Sequence, residues 1–134
     1  EALARRLYGE LARHGFPDLR LSHGPVFRHI LPGGSRASAL AERAQMTKQS
    51  MAYLVEALRA AGYVEIVADP TDGRAKLVRL TAKGTRAQRT ALQLSWQLEA
   101  EYGKRLGPAK ARQLRRLLED LYDVVRDEPS GASS

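Results

Sequence analysis

Leucines recur at positions 3, 7 and 11 with Arg5, Arg6 and Arg13 elsewhere on the wheel, so residues 1–14 read as an amphipathic helix. Because Glu1 already lies inside that pattern, whether the native chain starts upstream of it stays open. Gly15-Phe16-Pro17-Asp18 breaks the helix, and Leu21, Val26, Phe27, Ile30 and Leu31 carry a shorter helical pattern within 19–31. Pro32-Gly33-Gly34-Ser35 is a stop. Residues 37–44 form a short helix with Ser38 as its candidate cap, Leu40 and Ala44 on one face, and Glu42 and Arg43 exposed. Gln45 and Met46 make a turn. Thr47 is a natural N-cap for a second helix in which Met51, Leu54, Val55 and Leu58 repeat at spacings of three and four, and Gly62 ends it. Two short helices joined by such a turn, the second with a polar N-terminal half, have the form of a helix-turn-helix.

The period then becomes extended at Tyr63-Val64-Glu65-Ile66-Val67 and again at Ala75 to Leu80, predicting a hairpin whose tip runs from Asp69 to Arg74. Thr81 caps a long helix from Ala82 to about Leu106, with Ala87, Leu92, Leu94, Trp96, Leu98 and Tyr102 among its apolar positions. Gly107-Pro108 interrupts it. Pro108 suits the first turn of a last helix, where Leu114, Leu117, Leu118, Leu121, Val124 and Val125 form a broad apolar stripe. The expected fold is mainly α with a small β-hairpin wing. A winged helix-turn-helix lobe at 35–84 is flanked by a helical dimerisation region at 1–31 and 85–128, and the tail 129–134 is expected to be disordered.

Composition narrows the function. A formal net charge of +7 favours an anionic partner, and the excess is spread along the chain rather than gathered in a polybasic tail. The chain has no cysteine, which excludes disulfides, thiolate zinc sites and thiol redox switching. Its apolar runs fall far short of the roughly 18 residues a membrane span needs, and no signal segment opens it, so the expected location is cytoplasmic and no membrane partner is expected. His14, His23 and His29 lack ligand spacing, so no metal is expected, and surface or capping roles suit them better. No nucleophile, base and oxyanion donor can be assembled, and no Gly-rich phosphate loop appears, so the chain reads as non-enzymatic and without a cofactor.

Burying Met51, Leu54, Val55 and Leu58 turns Lys48, Gln49, Ala52 and Tyr53 outward near the start of their helix. Gln pairs bidentately with adenine, Lys donates to guanine or phosphate, and a methyl such as that of Ala52 meets the thymine methyl in the major groove. Thr47 and Ser50 suit phosphate, as hydroxyls at a helix N-terminus. By itself this helix is equally well a core helix with a solvated polar face. The hairpin tip, Asp69-Pro70-Thr71-Asp72-Gly73-Arg74-Ala75-Lys76, shifts the balance. An Arg on a projecting turn enters a narrow minor groove, with Asp72 expected to hold the Arg74 guanidinium, and Lys76 and Arg79 are expected on phosphates. Alone, the same tip is an ordinary β-turn. Helix-turn-helix, wing with Asp-x-Arg and long helix together are far more specific than any part.

Leu40-Ala41-Glu42-Arg43, Thr47 to Leu58 and Asp69 to Thr81 resemble the MarR family of bacterial transcription regulators, over nearly the whole chain. The resemblance implies a winged helix-turn-helix between helices that build a two-fold dimer, repression by occupying an inverted repeat of double-stranded DNA, and release by a small molecule. By position, Asp72 and Arg74 match the family's wing motif, Lys48, Gln49, Ala52 and Tyr53 match its base-facing positions, and Leu77 to Lys83 with Gly84 match the strand and helix start that follow. One position departs: Gln45 stands where such turns often place Gly, which strains a left-handed turn.

Dimerisation also follows from Leu3, Leu7, Leu11 and the stripe containing Leu114, Leu117, Leu121 and Val124, which exceed what a thin winged domain covers. The alternative is that both terminal helices pack within one chain. His23 and Phe27 are candidates for lining the family's effector pocket, against an ordinary core role for the aromatic ring; the ligand expected there is a small aromatic or amphipathic molecule. An RNA-binding domain, a winged-helix protein-interaction module and a small-molecule enzyme are the rival classes. The operator, the genes controlled and the choice between repressor and activator are not encoded in these residues.

Overall fold

The computed structural model describes residues 2–127, and among them the side chains of residues 4–113, 115–117, 119 and 120. In chain order the elements are α1 (Ala2–Arg13), a single 3-10 turn (Leu21–His23), α2 (Gly24–His29), α3 (Ala37–Arg43) and α4 (Lys48–Ala60). The hairpin strands β1 (Val64–Asp69) and β2 (Asp72–Leu80) follow, then α5 (Ala82–Leu106) and α6 (Pro108–Asp127). The chain divides into two compact units, Glu1–Leu94 and Ser95–Ser134.

In the first unit the helical periodicities converge on one core, in which Leu11, Val26, Leu40, Met51, Leu58, Tyr63 and Val64 are almost completely buried. Leu11 is only 1% exposed and packs inside its own chain, so it is not available to a partner surface as its leucine stripe had suggested. Leu7 is half-buried against the same core. The side chains of Leu3, Leu114, Leu121 and Val124 lie outside the described residues, as does the tail 129–134.

α3 starts one residue before its expected cap. Arg36 is the N-cap, its carbonyl accepting from the Leu40 N–H at 3.0 Å, and no side chain caps the helix. Ser38 therefore sits within the first turn. The turn to α4 passes through Gln45 at φ 54, the left-handed conformation its position implied, which costs a non-glycine residue roughly 1–2 kcal/mol. Gly62, at φ 86, then ends α4 without that cost.

β1 and β2 reach further than alternation alone suggested, pairing antiparallel from Val64↔Leu80 to Asp69↔Asp72 with an irregularity at Ala68/Asp69. Only Pro70 and Thr71 remain between them. Asp69 Oδ1 accepts from both the Thr71 N–H and its hydroxyl, at 2.9 and 2.8 Å, and this local capture shortens the loop. Ser35, read as part of a stop, also adds a bridge to the sheet: its N–H donates to the Val78 carbonyl at 2.9 Å and its carbonyl accepts from Val78 N–H at 2.8 Å. The start of α5 is tied to this lobe by Thr81, whose hydroxyl donates to Gly62 O at 2.6 Å and accepts from Gly84 N–H at 3.1 Å.

In the second unit Gly107, at φ 89, separates α5 from α6, and Pro108 opens α6 as its position predicted. A Cβ on Gly103 would stand 3.3 Å from that of Ala111. Leu117 is 66% exposed. Among the described residues no helix is long and apolar enough to cross a membrane.

Candidate nucleic-acid interface

Thr47 accepts from the Ser50 N–H at 3.1 Å, which fixes where α4 begins. Its hydroxyl donates to Ser50 Oγ at 2.9 Å, so the two hydroxyls expected on phosphate are already bonded to each other. With Met51, Leu54, Val55 and Leu58 buried, Lys48, Gln49, Ser50, Ala52 and Tyr53 are all exposed, Tyr53 at 78%. The first turn of α4 carries no acidic side chain, so the partial positive charge of its amides is not offset there.

On the wing, Arg74 and Lys76 are exposed and, among the described residues, neither has a carboxylate partner. Arg79 differs. It faces Glu65 across the hairpin, with Nε and a terminal nitrogen 2.9 and 2.7 Å from Glu65 Oε1, so its charge is largely answered within the sheet. Asp72 does not hold the Arg74 guanidinium as expected. Its Oδ1 accepts from the Arg74 backbone N–H at 3.1 Å, while its Oδ2 lies 3.8 Å from a terminal nitrogen of Arg36. The short Asp-Gly-Arg spacing brings the backbone amide within reach first.

Arg36 is the residue that sequence reasoning missed. Its Nε and terminal nitrogen donate to Asp69 Oδ2 at 3.3 and 3.0 Å. The bonds from Thr71, followed by those from Arg36, hold the Asp69 carboxyl down at about 2, although its oxygens are little exposed.

Beneath the wing, Tyr63 is fully buried, and its hydroxyl donates to Asp18 Oδ1. Burial, with the neighbouring Asp18 carboxylate, pushes the phenol pKa up. Lys83 lies 4.4 Å from the Tyr63 ring centroid and donates to Ala61 O at 2.8 Å, joining the end of α4 to the start of α5.

Each of the two effector-pocket candidates has a partner within the first unit. Phe27 packs edge-on against Tyr63 with ring centroids 6.1 Å apart. His23 Nδ1 accepts from the Arg20 N–H at 3.0 Å, and burial, then the Arg20 cation, lowers its imidazole pKa. A cleft of about 380 Å³ lies between Ser22, Met46, Gln49, Ser50, Tyr53 and Leu54, sharing three residues with the outward face of α4. Among the described residues no cluster of His and carboxylates is arranged to hold a metal ion.

Residues 17–75, which hold α2, α3, α4 and the start of the wing, match the MarR family model. The winged lobe, as far as Ala75, is thus similar to the MarR family. No curated protein sequence matches the chain. A MarR family protein of Mycobacterium tuberculosis is similar at 27% identity and a TM-score of 0.63, over 90% of this chain and 85% of that one. The apo form of MarR from Escherichia coli is similar at 24% identity and 0.69, over 87% and 86%. A MepR variant from Staphylococcus aureus, bound to an oligodeoxyribonucleotide, shares the fold at 16% identity and 0.65, over 92% and 90%. The MarR-family fold therefore extends beyond the matched segment, to helices on either side of the lobe.

Proposed function

We propose that this chain is a sequence-specific DNA-binding transcription regulator of the cytoplasm, a homodimer that occupies an inverted repeat and represses from it. The observation that carries the reading is the exposed face of Lys48, Gln49, Ala52 and Tyr53 on a capped helix, followed by a wing with two exposed cations, Arg74 and Lys76, that have no carboxylate partner among the described residues. A helix of this kind enters the major groove by its N-terminal half, and a wing Arg suits the adjacent minor groove. Lys48 and Lys76 supply the salt-dependent attraction to phosphate, with Thr47 and Ser50 able to exchange their mutual bond for a phosphate oxygen. Leu117 and Leu106 leave apolar surface in the second unit for a two-fold partner. Release follows when a small aromatic or amphipathic effector binds the free dimer more tightly than the DNA complex.

The test is selection of bound duplexes from a random DNA pool at physiological salt, then a salt titration of the enriched site. An inverted repeat with half-sites about 34 Å apart and a steep salt slope is expected. No enrichment over non-specific duplex would reject the reading, and preference for single strands or A-form RNA would replace it.

A further inference from the structure

Arg74 reaches the groove from a place set through its backbone, and the setting can be followed residue by residue. Its N–H is held by Asp72 Oδ1 at 3.1 Å. The other Asp72 oxygen lies 3.8 Å from the Arg36 guanidinium, which also grips Asp69 through two nitrogens at 3.3 and 3.0 Å. Asp69 in turn fixes Thr71 through its second oxygen. One cation thus touches both carboxylates that bracket the Pro70-Thr71 turn, two like charges that would otherwise repel.

Arg36 is itself well anchored. Its carbonyl begins the α3 ladder, and its neighbour Ser35 is bonded in both directions to Val78 of β2. A planar guanidinium, donating along fixed directions, transmits that anchorage to the turn in a way a lysine ammonium does not.

We propose that Arg36 is a positioning residue for DNA recognition: it holds the Asp69–Asp72 turn of the wing against the start of α3, so that Arg74 is presented to the groove in one orientation. This rests on the DNA-binding reading above. Because Arg36 is itself about half exposed, the competing role is direct contact with phosphate, and the two roles separate in a double-mutant cycle.

Affinity for the selected duplex is measured with the full chain as wild type, Arg36→Met, Arg74→Ala and the double variant. Met keeps an apolar stem and removes the charged head. Arg36→Met is expected to weaken binding about tenfold, and to add less than about twofold once Arg74 is already Ala, because its effect passes through Arg74. An undiminished loss in the Arg74→Ala background, or wild-type affinity for Arg36→Met, overturns the proposal. Arg36→Lys keeps the charge without the paired nitrogens and serves if the Met variant does not fold. An intermediate loss is expected of it, and full wild-type affinity would count against a guanidinium-specific role. Hydrogen exchange of the free protein separates this inference from the DNA reading. Amides of Thr71 and Arg74 should exchange faster in the Arg36 variants, and unchanged protection overturns the inference even where no duplex is selected.

Discussion

A Cβ built on Gly84 would lie 2.0 Å from the carbonyl oxygen of Tyr63, so the start of α5 approaches the start of the wing more closely than any side chain permits. Gly84→Ala is therefore expected to force the backbones apart and destabilise the protein by about 1–3 kcal/mol or more, read from the denaturant midpoint. Gly73→Ala, where a Cβ meets nothing within 4 Å, should change stability by less than about 0.5 kcal/mol. Equal effects of the two would refute the packing argument.

The Asp69 carboxyl titrates at about 2, below its ordinary 3.8. A depressed value of this sign gives a contribution that is complete above the ordinary range and disappears as pH falls through the folded-state value. The wing turn should thus hold its Thr71 and Arg36 bonds at neutral and mildly acidic pH, loosening only between roughly pH 4 and 2. A carboxyl-carbon NMR titration of Asp69 with an ordinary midpoint would show that these bonds do not form in solution.

Removing the Tyr63 hydroxyl leaves the ring packing but breaks its bond to Asp18, a residue partly open to water. Tyr63→Phe should cost about 1 kcal/mol by thermal or chemical melting, against roughly 3–5 kcal/mol for Tyr63→Ala. Since the phenol pKa is raised, the wild-type bond is fully present below the ordinary tyrosine range and is lost only as pH rises through the folded value. A Tyr63→Phe deficit that vanished at neutral pH would contradict this.

Thr47→Ala removes the acceptor for Ser50 N–H at the start of α4 and should lower stability by about 0.5–2 kcal/mol. Thr47→Ser keeps the acceptor and should recover most of it. If circular dichroism melting gave the same loss for both, the cap would not be the cause.

The recognition helix and the wing are expected to fail differently when altered. Gln49→Ala should cost roughly 1–3 kcal/mol at one base position and relax preference there, whereas Arg74→Ala should weaken binding across sequences and flatten the salt slope by about one unit. Affinities on a panel of single-base operator variants at several salt concentrations separate these patterns. A uniform loss for Gln49→Ala would remove it from base reading.

The helices were legible because apolar residues at helical spacing have one economical burial, and Thr47 and Gly62 mark the limits of α4 in their own chemistry. The outward set Lys48, Gln49, Ala52 and Tyr53 follows from that burial alone. Ser38 misled because its residue type favours caps, while the backbone places the N-cap two residues earlier, at Arg36, and starts α3 at Ala37. The wing was expected to be shorter in its strands, since Asp, Pro, Thr and Gly resemble a loop until Asp69 is seen to capture Thr71. Arg36 could not be read locally: it pairs with Asp69 at a distance of 33 positions and belongs to no apolar stripe. The same holds for Arg79, whose answering Glu65 is visible only once the strand register is known.

The bridge from Ser35 to Val78 joins residues on opposite sides of the helix-turn-helix, whereas the hairpin joins near neighbours in sequence. Closing so long a loop carries an entropic cost that shorter contacts do not, so the hairpin and α4 can form early and the bridge closes only when the helices between are in place. Ser35 then acts as a late latch. Weakening it should leave the folding rate nearly unchanged and let the lobe open faster, making the lifetime of the folded wing the property this small contact governs.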